Sequence, residues 1–378
     1  MAGHLVTDVN TGALPVFLPF IKESLSLSYT MTASIILIFN VTSSVIQPVF
    51  GYFSDRWSTR WLLPAGPFVA SLGLGLLGFA PSYLWIALLI SLSGIGQASY
   101  HPEGFKTMHF LAGTKKASAN SLFIVAGNFG LAIGPFLATL FYKYHGLKGA
   151  LWFCLPGVVI MVVFLLTSHW EPKDTLPFTQ AKPPNHPGSF RKNLFPITLL
   201  LLVVMFRTVA RLGLLTFIPF YVINVLHKDP LITGQYLSAF LLAGTLGSLA
   251  GGPLADRYGY KKTVLTSLSV APIFLYLFLY TGGIWSLIIF AFSGLILVSS
   301  HAVTMAMGQS FMPDKLGMAS ALMLGFSMGI GGIGTTILGW VADHWGLLLT
   351  LHIIFIMPFL AFLACLLIPY PPSHLEAS

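Results

Sequence analysis

The sequence predicts an all-α integral membrane protein, with twelve transmembrane helices in two pseudo-symmetric six-helix halves. Three observations predict it. Of 378 residues, 56% are hydrophobic and only 8% charged, against about 25% charged in a soluble domain. Turn signals cut the chain into twelve long apolar runs. One short motif occurs twice, after run two and again after run eight.

The mean hydropathy is +0.84. A water-solvated core cannot absorb that much apolar surface, so the solvent is lipid. Open sheets cannot span hydrocarbon, because their unpaired backbone groups are too costly there. The alternation of barrel strands is absent, which leaves helices. The net charge of +8 does not point to nucleic acid, because the basic residues are scattered through short turns between the apolar runs. Cys154 and Cys365 both lie in apolar runs, so neither a disulfide framework nor a metal site is expected. The first run reads as a span and not as a cleaved leader.

In order, the runs of the first half are 3–21, 31–53, 61–79, 83–110, 118–141 and 150–169. They are separated by Lys22 and Glu23, by Asp55 to Arg60, by Ala80 to Ser82, by Gly113 to Lys116, and by Tyr142 to Gly149. From Trp170 to Phe195 the chain turns polar and carries five prolines, which reads as a cytoplasmic linker, 170–195. The second half, 196–378, holds runs 196–226, 233–254, 262–280, 284–311, 317–341 and 347–369. Its breaks fall at His227 to Pro230, Asp256 to Lys261, Tyr280 to Gly283, Met312 to Lys315, and Asp343 to Gly346. The first half is therefore 1–169.

The Lys and Arg residues orient this topology. With the linker inside, thirteen of the 19 fall on inner segments and four on outer ones. That bias predicts a multi-pass protein of a bacterial inner membrane with both termini cytoplasmic. Arg207 and Arg211 are the two left over, inside run seven.

The repeated motif is "GYFSDRWSTRW" from Gly51 and "GPLADRYGYKK" from Gly252, displaced by 201 residues. Each copy contains Gly-x-x-x-Asp-Arg followed by further basic residues. Duplicated halves carrying one inner-loop motif are a mark of transporters. Glycine permits close helix approach. Asp55 and Asp256 can accept from a neighbouring helix N-terminus, and Arg56 and Arg257 can pair with carboxylates across a gate. Lys261 and Lys262 complete the second copy. This pattern resembles the major facilitator superfamily. The first copy departs from it at Ser58, which stands where the second copy has Gly259.

"GNFGLAIGPFLA" from Gly127 resembles the fifth-span antiporter motif of that superfamily. Gly130, Gly134 and Pro135 match its core, while Ala138 and Thr139 replace its closing glycines. "HLVTD" from His4, "SSVIQPVFGY" from Ser43, "HPEG" from His101, "GNFG" and the glycine-rich stretch from Gly317 together resemble the fosmidomycin resistance proteins. That resemblance implies efflux of a small phosphonate or related drug, driven by a proton gradient without a bound cofactor. It also implies a basic residue at Arg207.

Ionisable side chains inside spans are costly and become functional candidates. His4 and Asp8 are four apart and share a helix face. Glu103, between Pro102 and Gly104, is expected in the inner third of a long span, as a proton carrier or as a gate latch paired with an arginine. His101 stands beside it. These four form the expected proton-coupling set. Arg207 and Arg211, also four apart, suit phosphonate or carboxylate oxygens. Asn128 is counted with them as a substrate contact.

The expected partners are a small molecule, protons and the bilayer, with a monomeric chain. An uptake symporter for an organic anion or sugar is the nearest alternative. A membrane-embedded enzyme using His101 and Glu103 as acid and base is a further one, but nucleophile and metal-ligand motifs are lacking.

Overall fold

A computed structural model of the chain describes residues 1–56, 59–111, 116–167, 193–312, 319 and 321–370. Every regular element among them is helical. Their outer faces are apolar and their inner faces carry the polar groups. Leu84, Leu165, Leu166 and Leu246 are exposed, while His4, Asn10, Glu103 and Arg207 are buried. That inversion of the usual soluble pattern is what a lipid solvent selects.

Nine helical stretches among the described residues are long and apolar enough to cross a membrane. The two longest are Leu122–Leu166 and Ser327–Leu366. The first is interrupted by a 3₁₀ segment, Gly146–Phe153, and the second by Gly346 at φ 86°. Those interruptions coincide with the expected breaks between runs five and six and between runs eleven and twelve. The first helix, α1 (Ala2–Ser24), is not among the nine. It carries His4, Thr7, Asp8 and Asn10 on its N-terminal half.

The chain divides into two compact units, Met1–Thr179 with Ile218–Ser238, and Gln180–Phe217 with Ala239–Ser378. In the first unit α1 packs chiefly on α6 (Lys116–His145). Helix α2 (Tyr29–Asn40) passes through a π-turn, Val41–Val45, into α3 (Gln47–Arg56). Helix α4 (Leu62–Gly75) lies between α5 (Tyr83–Leu111) and α7 (Cys154–Thr167).

Glycine decides the α1–α6 crossing. A β-carbon at Gly12 would collide with the carbonyl oxygen of Leu131, one at Gly130 with that of Leu5, and one at Gly134 with that of Val9. The two backbones therefore touch directly, as small residues at this spacing permit. Helix α5 runs unbroken through Pro102. Gly104 there makes room for the Phe123 ring, which a β-carbon would meet at 2.8 Å.

In the second unit the elements are α8 (Leu194–Phe220, whose last three residues group with the first unit), α9 (Pro230–Tyr258, whose first nine residues, to Ser238, group with the first unit), α10 (Tyr260–Tyr280), α11 (Gly283–Phe311) and α12 (Ser327–Leu366). Gly259, at φ 96°, makes the turn from α9 to α10, a conformation that excludes most other residues. Its expected counterpart Ser58 lies outside the described residues, as do the linker from 170 to 192 and the stretch from Pro313 to Met318.

Candidate functional site

Two polar clusters occupy the interior, one in each unit. In the first, α1 supplies His4 and Asp8 and α5 supplies Gln97 and His101. His4 Nε2 lies 3.3 Å from Asp8 Oδ2, and His101 Nε2 lies 3.3 Å from Asp8 Oδ1. Gln97 Nε2 donates to Asp8 Oδ1 at 3.3 Å. The other nitrogen of His4, Nδ1, is 2.7 Å from the carbonyl oxygen of Phe123, whose ring stacks on the imidazole with centroids 4.1 Å apart. Gly127 closes the cluster, because a β-carbon there would meet His4 Nε2 at 2.5 Å and Asp8 Oδ2 at 2.6 Å.

The His4 geometry has a chemical consequence. A carbonyl only accepts, so Nδ1 must carry a hydrogen. In a neutral ring Nε2 then bears a lone pair, and that lone pair would face a carboxylate. A hydrogen on Nε2 as well turns that contact into a charge-assisted hydrogen bond from imidazolium to carboxylate. His4, Asp8 and His101 are also the group among the described residues whose donor atoms, within 4.8 Å of one another, could hold a metal ion.

Glu103 does not join them. It is on the same helix as His101 but turns toward α3 and the loop after it. Its Oε2 accepts from Ser54 Oγ and from Thr59 Oγ1, the latter at 2.6 Å. Lys106 Nζ donates to the carbonyl oxygen of Ser54. The buried carboxylate thus ties α5 to the motif-bearing segment through two hydroxyls, an arrangement that neither the proton-carrier nor the arginine-latch expectation had named. The two copies of the motif differ at this point: Ala255 stands where the first has Ser54, and Thr304 is displaced from Glu103 by the same 201 residues. That paired difference was the available sequence signal for the Ser54 contact.

In the second unit α8 supplies Arg207 and Arg211, and α11 supplies His301 and Thr304. Arg207 is buried and its Nη1 donates to Thr304 Oγ1 at 2.8 Å. Thr304 in turn donates to the carbonyl oxygen of His301. Arg211 Nε is buried without a hydrogen-bond partner among the described residues. Neither guanidinium makes an ion pair among those residues. Both line one pocket with Thr208, Leu297, Val298, His301, Ser327 and Met328. Its volume is about 10 Å³, room for a single water.

The remaining expected residues are placed differently. Gly51 and Gly252 do not carry a close helix approach: a β-carbon at either would meet nothing within 4 Å. Just before the second copy the tight crossing is at Gly247 and Gly251, against the carbonyls of Leu295 and Ser299. Asp256 accepts from the Tyr260 hydroxyl at 3.0 Å, not from a neighbouring helix N-terminus. Arg257 is exposed and lies over the Tyr258 ring, with 5.3 Å to its centroid. Lys261 donates to the carbonyls of Leu366 and Ile368 at 2.9 and 2.7 Å, and so caps the end of α12. Lys262 is exposed and Asn128 is half-buried on α6. The side chains of Asp55 and Arg56 lie outside the described ones. The Pro135 carbonyl accepts from Thr139 within α6 and stands 2.7 Å from where a β-carbon at Gly234 would lie.

A family model described as Major Facilitator Superfamily matches residues 1–328 and 226–378. The chain is 31% identical over 369 residues to the MFS-type transporter YfnC of Bacillus subtilis (strain 168), covering 96% of this chain and 90% of that one. It is 30% identical over 375 residues to the fosmidomycin resistance protein of Escherichia coli (strain K12), with the same coverage. Among solved structures, an inward-facing, occupied bacterial homologue of the human lysosomal transporter Spinster aligns with TM-score 0.77 at 15% identity, over 97% of this chain and 95% of that one. The nucleoside transporter NupG aligns with TM-score 0.75 at 13% identity over 96% of each. The structural matches show the shared fold.

Proposed function

The chain belongs to the Major Facilitator Superfamily, and from that premise we propose that it exports small phosphonates or related anionic drugs across a bacterial inner membrane in exchange for protons. As a multi-pass membrane transporter by family and fold, it acts on a small molecule within a bilayer. The phosphonate reading draws on its likeness to the fosmidomycin resistance protein and on one observation that carries it.

That observation is the pair of arginines. Arg207 and Arg211 sit one helical turn apart on one pocket, and neither has a carboxylate partner among the described residues. Leaving a buried cation such as Arg207 uncompensated costs several kcal/mol. An anionic substrate supplies the missing charge, and the planar guanidinium fork suits its oxygens. On the other unit, the contact between His4 and Asp8 supplies the exchanged ion. Each bound species neutralises a buried charge, which lowers the cost of the change of access by which such folds work. The antiporter-like Gly130 and Gly134 meet the carbonyls of Leu5 and Val9, on the helix that bears His4 and Asp8, and this closeness supports the reading.

The test is proton movement in energised inside-out vesicles on adding fosmidomycin. Drug-dependent proton release that depends on the protein is the expected result. No response from well-expressed protein, or net drug entry into intact cells, would overturn the export reading.

A further inference from the structure

We propose that His301 is the specificity-determining third contact for the substrate head, selecting a dianionic, three-oxygen group over a carboxylate or a phosphonate monoester. This rests on the anion-export reading above and goes beyond it by naming which charge state and shape the pocket reads.

The argument starts from charge. Arg207, buried, and Arg211, half-buried, both without an acidic partner among the described residues, present about two positive charges to one pocket. A carboxylate or a monoester returns one negative charge. A phosphoryl-type head near neutral pH returns roughly 1.5 to 2, which matches. It proceeds from donors. Arg207 and Arg211 lie on one face of α8, and His301 faces the same pocket from α11. An imidazole keeps at least one N–H in either protonation state. Three donors from two helices suit the three oxygens of a tetrahedral head, whereas a planar carboxylate has two.

The backbone of His301 is held for this task. Arg207 Nη1 donates to Thr304 Oγ1, and Thr304 Oγ1 donates to the His301 carbonyl at 3.0 Å. One chain of hydrogen bonds thus fixes the α8 guanidinium to the turn of α11 that bears the imidazole. Arg211 Nε, still without a partner among the described residues, has a donor to spare. In this conformation the pocket is closed to about 10 Å³, so the head docks at its mouth and displaces the space of one water. Ser327 and Thr208 in the lining add neutral hydroxyls that do not discriminate by charge.

The experiment is calorimetric titration of the purified full chain with fosmidomycin, its phosphonate monoethyl ester and its carboxylate analogue. The intact protein is expected to bind fosmidomycin at least about tenfold more tightly than either analogue. His301→Ala is expected to weaken fosmidomycin by about tenfold and leave both analogues within about twofold, so that discrimination collapses. His301→Gln, which keeps an N–H donor, is expected to restore part of it. Unchanged fosmidomycin affinity in His301→Ala, or equal weakening of all three ligands, would overturn the role of His301 while leaving the arginine site standing. Equal binding of all three by the intact protein would overturn the selection for a dianion. No fosmidomycin binding by folded intact protein, with Tm as the check, would sink the phosphonate reading together with this one.

Discussion

His4 and Asp8 stand one turn apart on α1 with Nε2 and Oδ2 separated by 3.3 Å, and the far nitrogen of the same imidazole is committed to the Phe123 carbonyl. The ring cannot rotate to escape the carboxylate without losing that carbonyl. The two groups are therefore held face to face.

Asp8→Asn removes the carboxylate. Fosmidomycin-driven proton movement in vesicles is expected to vanish, while calorimetric binding of the drug stays within about threefold, because the arginine pocket is untouched. Loss of binding alongside loss of proton movement would show that Asp8 holds the substrate.

Glu103 separates two roles by two substitutions. Gln keeps an oxygen that can accept from Ser54 and Thr59, whereas Ala strands both buried hydroxyls at a cost of about 1–3 kcal/mol each. Glu103→Gln is expected to retain most transport and Glu103→Ala to lose most of it, with a lower Tm. A Gln variant as dead as Asp8→Asn would return Glu103 to the proton path.

The glycines make an opposed set. Gly127→Ala drives a methyl into His4 and Asp8, and Gly130→Ala drives one into the Leu5 carbonyl. Overpacking of this kind costs about 1–3 kcal/mol, so both are expected to lower Tm and transport. Gly51→Ala and Gly252→Ala meet open space and are expected to leave Tm unchanged. A fall in Tm for either would contradict the open placement.

Arg207→Lys keeps the charge and loses the planar fork. Fosmidomycin affinity is expected to drop at least about tenfold, measured by the same titration. Retained affinity would mean that the pocket reads charge alone.

Lys261→Ala removes two donors from the end of α12. At about 0.5–1.5 kcal/mol net for each hydrogen bond, Tm is expected to fall by a few degrees while drug affinity is kept.

Much of this was legible beforehand because lipid imposes a simple rule on sequence. Apolar runs had to be helices, and His4, Asp8, Glu103, Arg207 and Arg211 stood out because ionisable groups in such runs need a reason. The i, i+4 spacing placed each pair on one helix face. Partners were harder to read. Glu103 meets Ser54 and Thr59, and Arg207 meets Thr304, across separations of 44 to 97 residues, and such meetings depend on helix rotation that no local spacing encodes. The glycine of the repeated motif misled for the same reason. Its residue type suggests close approach, but only a neighbour decides whether one occurs, and at Gly51 and Gly252 none is there.

The seam between α1 and α6 has a mechanical meaning. At Gly12, Gly130 and Gly134 a carbonyl oxygen fills the space of a missing β-carbon, so no side chain at those points can swing aside and let the helices slide. A joint without movable parts behaves as a weld. When the transporter changes the side to which it opens, α1 and α6 travel as a single strut, and His4 and Asp8 ride on it as fixed fittings.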